Sequence, residues 1–124
     1  MKKILIIDDE RELIKAISIR LKASGYEVIT ANNGFDGIDA AKREKPDAIV
    51  LDLIMPQFDG YETCKRLKSD PDTKSIPVIV CSAAGQKNVE ADVNNIGANG
   101  FVAKPFDTIK LLETIKACMG GRLR

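Results

Sequence analysis

The chain has 124 residues, 44% of them hydrophobic and 30% charged, with 19 Lys+Arg against 18 Asp+Glu, which fits one domain whose core needs neither disulfides nor a structural metal. A net charge of +1 offers no broad electrostatic footprint for DNA, RNA or an anionic membrane. Histidine is absent, which removes Ser-His-Asp and Cys-His nucleophiles, histidine zinc sites and any phosphohistidine on this chain.

Short β-branched runs alternate with longer amphipathic stretches from end to end, the pattern of repeated βα units. Lys3 to Asp8 reads as a buried strand, and Glu10 to Ser24 places Leu13, Ile14, Ile17 and Leu21 at helical spacing before Gly25. Tyr26 to Ala31 alternates with period two and suits an edge strand. Asn32-Asn33-Gly34 then turns the chain into a helix with Phe35, Ile38 and Ala41 inward that ends before Pro46. Asp47 to Leu53 is apolar enough to be central, and after the loop from Met55 to Gly60 a short helix turns Tyr61, Cys64 and Leu67 inward. Pro77 to Cys81 is a fourth strand, followed by a weakly held helix from Gly85 to Ile96. Asn99 to Ala103 is the fifth strand. Phe106 to Met119 is the last helix, with Phe106, Ile109, Leu112 and Ile115 toward the sheet and Gly120-Gly121 as its cap. Residues 1–119 are thus expected to form the domain and 120–124 a tail.

Right-handed crossovers with helices on both faces imply a doubly wound, flavodoxin-like α/β fold with a five-stranded parallel sheet of order 2-1-3-4-5. Ligands in such sheets bind beyond the carboxyl ends of the strands, where the order reverses, here between strands one and three. The first strand ends at Asp8-Asp9, the third delivers Asp52, the fourth ends at Cys81-Ser82 and the fifth at Lys104-Pro105. Each alone has a bland reading as a helix cap, a turn hydroxyl or a solvated lysine. Together they are harder to dismiss. Carboxylates about 5 Å apart repel by about 3 kcal/mol per pair at an effective dielectric near 20, so something cationic must relieve them. Lys104 supplies one charge. A Mg²⁺ ion at Asp8, Asp9 and Asp52 suits the rest, with Mn²⁺ as a substitute, and the assembly has the parts to bind a phosphoryl group and stabilise its transfer.

The run Ile6-Ile7-Asp8-Asp9-Glu10, then Asp52-Leu53-Ile54-Met55-Pro56 through Asp59-Gly60, then Val80-Cys81-Ser82-Ala83-Ala84, then Gly100-Phe101-Val102-Ala103-Lys104-Pro105-Phe106, resembles the receiver domain of two-component response regulators. The resemblance covers essentially the whole chain and is to stand-alone, chemotaxis-regulator-like receivers. It implies that Asp52 is the phosphoacceptor, attacking a phosphohistidine of a sensor histidine kinase or phosphotransfer protein. It further implies that Asp9, Asp52 and the Ile54 carbonyl ligate Mg²⁺ directly, with Asp8 acting through water, and that Lys104 and Ser82 hold phosphoryl oxygens. The Lys104-Pro105 peptide is then cis. Ser82 and Phe101 form the switch pair through which phosphorylation reaches a downstream protein target, although Phe101 also reads as a plain core aromatic. Such a receiver is a phosphoacceptor that promotes its own phosphorylation and dephosphorylation rather than an enzyme on other substrates. Ile54 and Ala84 occupy positions that tune phosphoryl loss in the family, and neither can orient a water, so slow self-dephosphorylation is expected.

Cys64, Cys81 and Cys118 lack CxxC spacing and read as free thiols, Met1-Lys2-Lys3 leads into a strand rather than a signal segment, and no apolar run approaches the roughly 20 residues of a membrane span. A cytoplasmic protein, monomeric or weakly dimeric, binding neither nucleic acid nor membrane, is expected. It is either a stand-alone regulator or a piece of a longer one. Two alternatives compete. One is a phosphorylation-independent interaction module with a vestigial acidic pocket. The other is a small Mg²⁺-dependent aspartyl phosphatase of the haloacid-dehalogenase type, which wants a DxDx(T/V) loop that neither Asp8-Asp9-Glu10-Arg11 nor Asp52-Leu53-Ile54-Met55 supplies. A flavodoxin-like cofactor binder lacks the Ser/Thr/Gly-rich loop after the first strand that it would need.

Overall fold

The computed structural model describes residues 1–53, 60–83, 96–104 and 108–120, with backbone alone at 82, 83 and 104. The elements are β1 (Lys3–Ile7), α1 (Arg11–Ala23), β2 (Glu27–Ala31), α2 (Gly34–Glu44), β3 (Ala48–Asp52), α3 (Gly60–Ser69), β4 (Val78–Ala83), β5 (Gly100–Lys104) and α4 (Thr108–Gly120). The expected helix over 85–96 lies outside the described residues save for Ile96, which is buried.

All strand pairs are parallel, and the sheet has the order β2-β1-β3-β4-β5. This is the expected doubly wound arrangement, with the alternating β2 at an edge. Strand periodicity sorts the core into two layers. Leu5, Ile7, Ile49, Leu51, Val78 and Val80 meet Ala40 and Ala41 of α2 and Cys64 and Leu67 of α3 on one face. Their chain neighbours Ile4, Ile6, Val50, Ile79 and Cys81 point the other way, onto Ile17 and Leu21 of α1 and Leu111, Ile115 and Met119 of α4. Helices therefore cover both faces, as near-continuous apolar strands require.

Local chemistry ends each unit. Gly25, at φ 92°, follows α1 in a left-handed conformation that favours glycine. Asn33 caps α2 by accepting from the Asp36 N–H at 2.8 Å, and α2 stops at Lys45, ahead of Pro46. Asn99 secures the start of β5 through two bonds to Val78. Its N–H donates to the Val78 carbonyl at 2.8 Å, and its Oδ1 accepts from the Val78 N–H at 3.0 Å.

Two side chains depart from the helical faces read in the sequence. Phe35 and Ile109, expected inward, are each 62% exposed. In α2 the inward face is made of Gly37, Ala40 and Ala41. The helix lies so close to the sheet that a Cβ on Gly37 would fall 2.5 Å from Ile7 Cδ1, leaving no room for a phenyl ring. In α4 the buried row is Leu111, Ile115 and Met119, with Leu112 beside it, and this turns Ile109 outward. Phe106 lies outside the described residues.

Candidate phosphoacceptor site

Two registers bring the acids together. Ile7 pairs with Leu51, so the next residues, Asp8 and Asp52, emerge side by side from the carboxyl ends of β1 and β3. The Asp8 N–H donates to the Ala31 carbonyl at 3.1 Å, which carries the β1–β2 pairing one residue further and fixes Asp8 to the sheet. Asp52 pairs with Cys81, and the Leu53 N–H donates to the Cys81 carbonyl at 3.0 Å, which fixes the end of β3 against β4. The Gly60 N–H then donates to the Leu53 carbonyl at 2.9 Å, closing the chain between β3 and α3. Only glycine fits there, since a Cβ would stand 2.2 Å from the Asp52 carbonyl oxygen and 2.3 Å from Leu53 Cα.

Asp8 is 4% exposed and Asp52 5%. Buried carboxylates are rare unless they are partnered or bind a cation. A carboxylate oxygen from each of Asp8, Glu10 and Asp52 lies within 4.8 Å of the others, and the Glu10 N–H donates to Asp8 Oδ1 at 2.9 Å. Asp9, expected in the sequence to join Asp8 and Asp52, is exposed, and this cluster among the described residues contains Glu10 in its place. In the sequence Glu10 reads as the start of a helix and the end of the Ile6-Ile7-Asp8-Asp9-Glu10 motif, with no metal role assigned; the signal for one is an acidic residue where a capping Ser, Asn or Asp is usual. All three groups offer hard anionic oxygens, two of them withdrawn from water, a donor set that fits Mg²⁺ or Mn²⁺ and not a soft or nitrogen-seeking metal.

On the other side of β3, Ser82 pairs with Ala103 and Ala83 with Lys104. The backbones of Ser82 and Lys104 thus reach the same end of the sheet as Asp52. Phe101 pairs with Val80 and packs half-buried against the layer under α2 and α3. Ile54, Ala84 and Pro105 lie outside the described residues.

The family model "Response regulator receiver domain" matches residues 4–116. The chain belongs to that family. It is 35% identical to protein PilH of Pseudomonas aeruginosa over 98% of this chain and all of PilH. Among solved structures it is similar to the chemotaxis protein CheY4 of Vibrio cholerae, with a TM-score of 0.89 and 29% identity over 95% of this chain and 98% of that one. It is also similar to the receiver domain of sensor histidine kinase PA1611 from Pseudomonas aeruginosa PAO1, with a TM-score of 0.87 and 25% identity over 96% and 98% of the two chains. That structure has a magnesium ion coordinated in its active-site cleft. Other relatives, among them transcriptional regulators, are about twice as long, and the receiver spans 49% and 48% of two of them.

As a response-regulator receiver the chain carries the acidic pocket at the strand ends where the sheet order reverses, and among the described residues no helix is long and apolar enough to cross a membrane.

Proposed function

We propose that Asp52 accepts a phosphoryl group from a phosphohistidine of a sensor histidine kinase or phosphotransfer protein. The observation that carries the reading is the pairing of two nine-tenths-buried carboxylates, Asp8 and Asp52, at the carboxyl ends of adjacent central strands. An Asp52 carboxylate oxygen attacks phosphorus, the P–N bond breaks with its electron pair passing to the donor imidazole, and an acyl phosphate results. Asp8, Asp9 and Asp52, with the Ile54 carbonyl, are the groups we assign to Mg²⁺, and the magnesium in the related PA1611 receiver supports that assignment. The ion supplies positive charge to offset the carboxylates and the equatorial phosphoryl oxygens. Lys104 and the Ser82 hydroxyl are assigned to those oxygens, and the arrival of β4 and β5 at the same rim supports it.

Phosphorylation adds about −1.5 to −2 charges at Asp52. Ser82 and Phe101 are the pair through which we expect that charge to reach a surface bound by a downstream protein. The half-buried position of Phe101 against the core supports a ring with space to gain by turning inward. Ile54 and Ala84 carry no group able to orient an attacking water, which supports a long-lived phospho-form. The free thiols Cys64, Cys81 and Cys118 support the cytosol as the place of the exchange.

The test is incubation with acetyl phosphate and Mg²⁺, followed by intact-mass measurement. A gain of one phosphoryl group that is lost in Asp52→Asn and in EDTA is the expected result. An unmodified protein, or equal modification of the Asn variant, refutes the reading.

A further inference from the structure

Glu10 stands where β1 hands over to α1. As the residue preceding the first helical turn it has φ −87° and ψ 101°, a normal N-cap backbone, yet its side chain makes no capping hydrogen bond. Ser, Thr, Asn and Asp serve that position best, because a short side chain reaches back to the free N–H groups. The Glu10 carboxylate instead lies with those of Asp8 and Asp52, all within 4.8 Å. Its own N–H is tied to Asp8 Oδ1 at 2.9 Å, which holds the two acidic residues together. Asp8 and Asp52 are buried, while Glu10 is exposed to solvent.

We infer that Glu10 is a positioning and affinity-determining residue of the divalent-cation site, adding a third carboxylate that raises the affinity for Mg²⁺. The inference rests on the reading of this pocket as a Mg²⁺-dependent phosphoacceptor site. It goes beyond that reading because the acids assigned there are Asp8, Asp9 and Asp52. A longer, solvent-exposed side chain can accept from a metal-bound water or approach the ion itself without disturbing the buried pair. The flexible reach of Glu10 therefore tunes how tightly the ion is held, leaving phosphoryl chemistry to Asp52.

The experiment is calorimetric titration of the full chain with MgCl₂, for the unaltered protein and for Glu10→Gln, Glu10→Lys and Glu12→Gln. Glu12 lies in the first turn of α1, and its variant removes the same charge two residues away. A divalent ion and a carboxylate about 5 Å apart in a water-like medium interact strongly enough for about a tenfold change in affinity. Glu10→Gln is expected to weaken Mg²⁺ binding about tenfold, Glu10→Lys further, and Glu12→Gln less than threefold. Melting in EDTA gives an independent readout, in which Glu10→Gln is expected to be at least as stable as the unaltered protein because repulsion has been removed. Equal affinities for Glu10→Gln and Glu12→Gln, with the unaltered protein binding normally, overturn this inference alone. An unaltered protein that binds no Mg²⁺ overturns the phosphoacceptor reading as well.

Discussion

Replacing Asp52 with Asn removes one negative charge from the pocket and leaves the side chain's size and shape nearly unchanged. In the metal-free protein this should be stabilising. The nearest carboxylate oxygens of Asp8, Glu10 and Asp52 lie within 4.8 Å. One such pair repels by about 3.5 kcal/mol at an effective dielectric near 20 and by about 0.9 kcal/mol in bulk water. The pair of Asp52 with buried Asp8 lies nearer the first figure, and the pair with exposed Glu10 nearer the second. Hydrogen bonds that a carboxylate accepts and an amide cannot fully replace take back about 1–2 kcal/mol. A net gain of about 1–3 kcal/mol remains, which for a domain of this size raises Tm by roughly 3–12 °C. The assay is differential scanning calorimetry in EDTA and again in millimolar Mg²⁺. The unaltered protein should gain stability with the ion according to RT ln(1 + [Mg²⁺]/Kd), whereas Asp52→Asn should gain less. If Asp52→Asn melts at or below the unaltered protein in EDTA, repulsion among these carboxylates is not a significant term, and the electrostatic argument for a resident cation fails.

Gly60→Ala should cost about 3 kcal/mol or more in urea unfolding and also reduce acetyl-phosphate labelling, because its Cβ would meet backbone at Asp52 and Leu53. Gly37→Ala, which meets only the Ile7 side chain, should cost about 1–3 kcal/mol and leave labelling intact. Burial pushes the Cys64 thiol up to about 11 and also raises the less buried Cys118. In the native protein a thiol-specific reagent at pH 8 should therefore modify Cys118 first and Cys64 only on unfolding. The same shift sets an alkaline limb. Cys64 stays neutral when folded while the unfolded thiol ionises from about pH 9, so its contribution is complete below that pH and lost between 9 and about 11. Cys64→Ala should flatten the limb. At the acid end, the hydrogen bond from Lys42 and then the Asp72 N–H hold the Asp70 carboxyl below its ordinary 3.8, and Lys3 and then Arg43 do the same for Glu44 below 4.5. Their contributions are present above those values and vanish as pH falls through the lower folded ones. Asp70→Asn should reduce the acid slope slightly, and less so in 1 M NaCl, since Lys42 and Asp70 pair at 2.8 Å on the surface.

The strands could be read from sequence because a central parallel strand is buried on both faces. Ile4 to Ile7 and Ala48 to Leu51 are apolar at every position, and all but Val50 at 3% are fully buried. The edge position of β2 was legible for the complementary reason, as its outward residues can be polar. The helices were legible in period and less so in phase. Phe35 and Ile109 were assigned inward because large apolar residues usually are, but α2 approaches the sheet through Gly37, Ala40 and Ala41, and the separation between helix and sheet does not show in a hydropathy pattern.

The site divides along the same line. Asp8 and Asp52 could be placed from topology alone, because the reversal of strand order must lie between β1 and β3 and each residue closes its strand. Their meeting depends on the Ile7–Leu51 register. A slip of one residue would turn one acid to the opposite face and bury it against α2 and α3, where a carboxylate among apolar side chains is costly. Glu10 could not be placed this way. It follows the strand, where no ladder fixes direction, and its position depends on local bonds, among them the one from its own N–H to Asp8 Oδ1 and the one its carbonyl accepts from the Ile14 N–H. The sheet therefore determines the two buried acids, and a local turn determines the third. A substitution in that turn can alter cation affinity while the buried pair and the fold remain as they are.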